Sequence, residues 1–252
     1  MRRFWACVLG FFCAAAHAAP PNVAAAADLK FALSEIAANY EKETGKTVKL
    51  SFGSSGNFAR QIPQGAPFEL LLSADEDYIL QLAGQGWLRD EGRLYAIGRI
   101  ALLVPHGSKL LADGELQDLR AALADGRVQR FAIANPAHAP YGRAARAALQ
   151  HAGLWEKLQD KLVLGENVAQ AAQFATSGSA QGGIVAWSLA KSPEVAKLGT
   201  AALLPESWHP PLRQRMALTR QAGAEASSFY AYLQQAAARA VFERYGFSLP
   251  DQ

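Results

Sequence analysis

Apolar and polar positions along the chain alternate between a strand rhythm and a helix rhythm. Val23-Ala24-Ala25-Ala26-Ala27 is a small apolar run that predicts a buried strand. Asp28 then reads as the N-cap of a helix whose apolar face carries Leu29, Leu33, Ile36 and Tyr40, ended by Thr44-Gly45. Val48 to Phe52 alternates as a half-buried strand, Gly53-Ser54-Ser55-Gly56-Asn57 makes a turn, and Phe58 to Ile62 start a helix. Phe68 to Ser73 predicts a strand. Asp75 caps a helix that reaches Ala83, closed by Gly84 and Gly86.

Tyr95 to Pro105 is one longer apolar run and predicts a single long strand. The rhythm then restarts, with helices at Leu116–Leu123, Gly142–Ala152 and Ala169–Ser177, and strands at Phe131–Ala134, Leu162–Leu164 and Gly183–Trp187. A last strand near Gln214–Leu218 precedes a helical region over Ala224–Tyr245. Strands alternating with helices argue for an α/β chain with mostly parallel sheets covered by helices on both faces. Two such sets joined by two crossovers predict two lobes around a cleft: residues 19–103 with 208–252 in the first, 104–207 in the second. In open sheets of this kind a ligand sits beyond the carboxyl ends of the strands.

The N-terminus changes the picture of where the protein works. Arg2 and Arg3, an apolar stretch from Phe4 to Ala16 and the small-x-small sequence Ala16-His17-Ala18 describe a secretory signal peptide over residues 1–18. Its 13 apolar residues fall short of the ~20 that a spanning helix needs. Export to the periplasm as a monomer is the expectation. Both cysteines, Cys7 and Cys13, lie inside this segment, so thiol catalysis, disulfides and Cys-bound zinc are not expected in the remainder. Without Arg2 and Arg3 the chain carries 23 basic against 22 acidic residues. With no basic run interleaved with aromatics, a nucleic-acid partner is not expected.

Four junctions between a strand and a helix start could carry chemistry: Ala27-Asp28-Leu29, Gly53-Ser54-Ser55-Gly56, Ala139-Pro140-Tyr141-Gly142 and Gly165-Glu166-Asn167-Val168. Amides at such starts lack intrahelical acceptors, and several converging on one point form an anion site without a basic side chain. These stretches, together with Phe52-Gly53-Ser54-Ser55-Gly56-Asn57-Phe58, Ser73-Ala74-Asp75 and Asn135-Pro136-Ala137-His138-Ala139-Pro140-Tyr141-Gly142, resemble the molybdate-binding proteins of ABC importers, in order over nearly the whole mature chain. The resemblance implies a two-lobed periplasmic binding protein fold that closes over a dehydrated oxyanion, molybdate or tungstate, and works with a membrane permease. By position it implies that Ala27 and Asp28 bind through backbone amides, Ser55 through hydroxyl and amide, Val168 through its amide and Tyr141 through its phenol. It implies no cofactor and no bare metal ion, since molybdenum or tungsten would arrive as the oxyanion. Many relatives carry Ser at the position of Asp28, and some carry Tyr at that of Ala186.

Other readings of the same residues are simpler. Asp75-Glu76-Asp77 suits an acidic first helical turn better than a metal site, and the remaining histidines lack ligand spacing. Arg213 and Arg215 on the last strand suit a solvated face, and Glu166 suits a structural role at a helix start. Two alternatives stand beside oxyanion transport of molybdate. One is a binding protein for sulfate or phosphate. The other is a periplasmic serine hydrolase using Ser54 or Ser55, which needs a base and an orienting acid within reach. Gly53-Ser54-Ser55-Gly56 has its serines out of register for a Gly-x-Ser-x-Gly elbow, so an enzyme is not expected.

Overall fold

The computed structural model describes residues 19–250, and the export segment expected over residues 1–18 lies outside them. The first sheet orders its strands β2-β1-β3-β10-β4, with β1 at Asn22–Ala26, β2 at Lys49–Gly53, β3 at Leu70–Ser73, β4 at Arg93–Gly98 and β10 at Leu212–Leu218. The second orders β7-β6-β8-β5-β9, with β5 at Ile100–Pro105, β6 at Phe131–Ala134, β7 at Leu162–Gly165, β8 at Gly183–Ala186 and β9 at Gly199–Leu203. Nine helices fall between the strands, α1 Lys30–Thr44, α2 Ser55–Gln61, α3 Glu76–Gly84, α4 Gln117–Ala124, α5 Pro140–His151, α6 Trp155–Leu158, α7 Val168–Thr176, α8 Trp187–Ala190 and α9 Pro193–Ala196, and two follow the last strand, α10 Ala224–Tyr232 and α11 Ala236–Arg244, among the described residues.

Each sheet is a parallel trio extended by antiparallel strands, so the sheets are mixed rather than mostly parallel. β1 pairs in parallel with β2 and β3, while β10 runs antiparallel to β3 and β4. β6 pairs in parallel with β7 and β8, while β5 runs antiparallel to β8 and β9. The antiparallel strands are those next to the crossovers, where the chain enters a sheet from the other lobe instead of through a helix of its own.

The run from Tyr95 to Pro105 is two strands and not one. β4 belongs to the first sheet and β5 to the second, so the chain changes lobe at Arg99, a few residues before the boundary at 103/104 expected from the sequence. Both halves read apolar because both sheets are buried: Ala96 and the span from Ile100 to Leu103 are fully inaccessible. The C-terminal helical region is also interrupted, at Leu233-Gln234-Gln235, into α10 and α11.

Local chemistry explains most of the remaining elements. β1 lies inside its sheet between β2 and β3, and its alanines leave room for packing on both faces; Val23, Ala24 and Ala25 are fully buried. α1 buries Leu33, Ile36 and Tyr40 and stops at Gly45, whose φ of 70° is the left-handed cap that glycine adopts freely. Asp75 accepts from the Asp77 N–H to start α3, and Asn167 accepts from Ala169 and Gln170 to start α7. The first sheet carries an apolar layer on each face, one against α1, α10 and α11 and one against α2 and α3. The core of the second lobe continues across to Ala26, Ala27, Ala74 and Leu212 of the first. The two lobes are therefore packed together around the cleft.

Candidate functional site

The carboxyl ends of the parallel trios point into the cleft, and five of the loops that leave them line one small cavity. Ala27 and Asp28 follow β1, Ser54 and Ser55 follow β2, Ala74 follows β3, Ala139 to Tyr141 follow β6, and Asn167 and Val168 follow β7. All five residues expected at the site, Ala27, Asp28, Ser55, Tyr141 and Val168, lie on this lining, and each is at most 4% exposed. The cavity has a volume of about 10 Å³, far below the ~300–1,000 Å³ of sites for larger organic ligands. No lysine, arginine or histidine is among its lining residues. What the lining offers instead is first-turn amides, which have no acceptor within their own helices, and hydroxyls.

Ser55 is fully buried, and its Oγ accepts from the Ala74 N–H at 2.9 Å. Its hydroxyl proton is thereby left to donate into the cavity. Ser54 is the N-cap of α2, accepting from Asn57 N, and stands 3.0 Å from His138 Nδ1 of the other lobe. Gly56 donates its N–H to the His138 carbonyl at 3.1 Å, a direct backbone contact between lobes. No side chain fits there: a Cβ on Gly56 would lie 2.5 Å from that carbonyl oxygen.

Asp28 departs from its expected role. It sits in a single 3₁₀ turn, Ala27–Leu29, and caps no helix: α1 begins at Lys30 with no side-chain cap. Its Oδ2 accepts from Gln214 Nε2 at 2.6 Å and from the Tyr141 hydroxyl at 2.9 Å, while its carbonyl accepts from Ser188 Oγ at 2.8 Å. Partners in β10, α5 and α8 thus outcompete a local cap, because burial makes an unpaired carboxylate oxygen expensive. Oδ1 remains buried without a partner. Burial pushes this carboxyl up to about 6, against the hydrogen bonds from Gln214 and Tyr141, which lower it. The amides of Asp28 and Leu29 lower it further, though neither meets hydrogen-bond geometry at Oδ1.

Tyr141 is likewise engaged. Its hydroxyl proton goes to Asp28 Oδ2, and its oxygen accepts from Gln214 Nε2 at 3.1 Å. The phenol expected to donate to a ligand therefore donates to Asp28. Burial, then the Asp28 charge, holds Tyr141 well above its ordinary value, so it stays a neutral donor. Tyr95 extends the network by donating to Gln214 Oε1 at 2.7 Å.

Gln214 and Tyr95 were not singled out from the sequence, although a signal existed for Gln214. In Leu212-Arg213-Gln214-Arg215-Met216, strict alternation places Gln214 on the face of Leu212 and Met216, and it is fully buried. Arg213 and Arg215, on the opposite face, both pair with Glu76 and do not reach the cavity. Asp75 caps α3 and pairs with Arg143 of the other lobe, which also donates to Tyr78 at 2.9 Å. Asp75, Glu76 and Asp77 thus have structural partners or caps. Among the described residues, no group of three or more His, Cys, Asp or Glu could hold a metal ion.

The serine-hydrolase alternative gains one element that the sequence did not reveal. Ser54, His138 and Glu166 form a chain, with His138 Nε2 at 3.5 Å from Glu166. Yet Ser54 Oγ is occupied as a helix cap, Glu166 is largely exposed and the cavity is too small for an acyl substrate with its leaving group. The arrangement joins the lobes and leaves no approach to Ser54 as a nucleophile.

A family model described as bacterial extracellular solute-binding protein matches residues 21–248. The chain is 35% identical over 243 residues to the molybdate-binding protein ModA of Azotobacter vinelandii, covering 95% of this chain and 94% of that protein. It is 32% identical over 231 residues to the molybdate-binding protein ModA of Escherichia coli (strain K12), covering 90% and 88%. Among solved structures, the periplasmic molybdate-binding protein of Azotobacter vinelandii matches with a TM-score of 0.81 at 30% identity, over 92% of this chain and 100% of that one. The sulfate-binding protein SubI of Mycobacterium tuberculosis H37Rv shares the fold, with a TM-score of 0.73 at 17% identity, over 92% and 87%.

Proposed function

The chain belongs to the bacterial extracellular solute-binding proteins, and from that premise we propose that it captures molybdate or tungstate in the interlobe cavity for an ABC-type importer. The observation that carries this reading is the cavity itself: small, enclosed by five strand-to-helix loops, and lined by neutral donors without a cationic side chain. A fully ionised tetrahedral oxyanion has only acceptors to offer, and the first-turn amides of Ala27, Asp28, Ser55 and Val168 with the Ser55 hydroxyl are donors. Tyr141 acts from behind, fixing the Asp28 carboxyl. The names of relatives 32–35% identical to this chain point to the same solute. The protein performs no chemistry on it. Its task is to bind, remain closed and hand the anion to a membrane permease that touches both lobes.

Binding should stabilise the fold by mass action. At a hundredfold excess of free anion over its dissociation constant the gain is ~2.7 kcal/mol, which shifts the melting temperature of a domain this size by roughly 5–11 °C. Thermal denaturation of ligand-free protein with and without molybdate or tungstate reads this directly. A melting curve unmoved by millimolar amounts of both anions would contradict the proposed function.

Export follows from the same reading. We place removal of residues 1–18 after Ala18, so that the working protein starts at Ala19 and is monomeric. N-terminal sequencing of the secreted protein should begin at or near Ala19; a sequence beginning at Met1 would refute cleavage.

A further inference from the structure

We propose that Asp28 enters the binding site as a protonated carboxyl whose Oδ1–H donates to an oxygen of the bound dianion, so that each anion is taken up together with one proton. This rests on the proposed function and concerns the chemistry of the same cavity. Two observations lead to it. Asp28 lines a cavity that holds no lysine, arginine or histidine, and its two oxygens have opposite fates. Oδ2 accepts two hydrogen bonds, from Gln214 and Tyr141, as a carbonyl-like oxygen does. Oδ1 is buried and has no partner in the protein.

An ionised carboxylate in that position would set a third negative charge against a dianion inside an enclosed cavity. At ~4 Å and an effective dielectric of ~20, each unit-charge pair is worth ~4 kcal/mol, and such a repulsion would outweigh several hydrogen bonds. One proton on Oδ1 removes the charge and turns the orphaned acceptor into a donor. The proton comes from solvent; no covalent bond other than O–H is made or broken. Burial already shifts the carboxyl toward its neutral form in the free protein.

The surroundings of the carboxyl offer no other means of neutralising it. Tyr141 from α5 and Tyr95 from β4, behind Gln214 of β10, are phenols that remain neutral, Tyr95 raised by burial and then by the Asp28 charge. Ser188 of α8 binds only the Asp28 main chain. β2 brings Gly53 and no titratable group at its near end, and Lys30 at the start of α1 is exposed. α7 begins at Val168 beside the Glu166–His138 pair, which lies on the Ser54 side of the cleft. Asp28 takes part in no ion pair with these groups.

The sign of the linkage is fixed. The free carboxyl has a value of about 6, and an adjacent dianion raises it. Affinity is therefore greatest below that value and falls as pH rises above it, by up to about tenfold per unit. Titration calorimetry of the full mature protein with tungstate and with molybdate, at about pH 6 and about pH 8 and in buffers of different ionisation enthalpy, measures affinity and proton uptake together. We expect roughly 50-fold weaker binding at the higher pH and uptake there of close to one proton per anion. Asp28→Asn supplies a permanent N–H donor at the Oδ1 position and an acceptor for Gln214 and Tyr141. It should bind at both pH values with equal affinity and no proton uptake. His138→Gln, which removes the neighbouring imidazole, should retain the wild-type slope. Binding by the wild type that is independent of both pH and buffer overturns the inference while leaving the proposed function standing. Loss of the slope in His138→Gln but not in Asp28→Asn overturns it equally. Absence of binding to either anion at every pH would instead be a failure of the proposed function.

Discussion

Gly56→Val is expected to reduce anion affinity by ~100-fold or more, since it withdraws at least one lobe's charge-assisted hydrogen bonds, each worth ~1.5–3 kcal/mol. The backbone of Gly56 tolerates a side chain: it lies in the first turn of α2 and has no positive φ. What does not tolerate it is the opposite lobe, whose His138 carbonyl oxygen would stand 2.5 Å from the new Cβ. Tyr78 Oη, 2.7 Å away, is the end of a side chain and can move. The carbonyl is backbone and can give way only if the lobes part. Parting them separates Ala27, Asp28 and Ser55 on one side from Tyr141 and Val168 on the other. The variant should keep its secondary structure by circular dichroism, because the cores of both lobes are untouched. Equilibrium titration of the variant with molybdate is the check. Wild-type affinity would mean that the anion does not need the two lobes together.

Ser55→Ala should act on affinity and stability at once. The hydroxyl is expected to donate to the anion while accepting from Ala74 N–H. Losing the donor costs about 1.5–3 kcal/mol of binding, or roughly ten- to a hundredfold. Losing the acceptor leaves the buried Ala74 amide unpaired, which costs ~1–3 kcal/mol of folding free energy. Denaturant titration without ligand separates the second effect from the first. If Ser55→Ala lowers stability but leaves affinity unchanged, the hydroxyl serves only to hold Ala74 at the end of β3.

The parts of this molecule that were legible in the sequence are those decided by neighbours in the chain. β1 and α1, the cap Asp75 and the stop at Gly45 follow from spacing and side-chain type, whereas the cap of α7 is Asn167 and not its neighbour Glu166. Four of the five loops at the cavity were legible too, because each follows a parallel strand and precedes a helix, and that position is fixed locally. What escaped is what depends on distant residues. Asp28 reads as a cap because a carboxylate precedes an apolar helical face, yet its partners Tyr141 and Gln214 lie 113 and 186 positions away. Tyr95 to Pro105 reads as one strand because nothing in an apolar run announces that Arg99 passes between two buried sheets. β9, Gly199–Leu203, lies at a sheet edge and carries only a weak apolar signal. Gly56 reads as a turn residue, and only the opposing carbonyl of His138 reveals why no side chain is accommodated there.

The most direct test of the central claim is calorimetric titration of ligand-free protein with molybdate, tungstate, sulfate and phosphate under one set of conditions. The cavity joins neutral donors from both lobes in one small space between them. The account predicts one binding site per chain, saturated by molybdate and by tungstate, with sulfate and phosphate at least ~100-fold weaker, a difference of ~2.8 kcal/mol. Tight binding of sulfate or phosphate with no heat from molybdate and tungstate would contradict it.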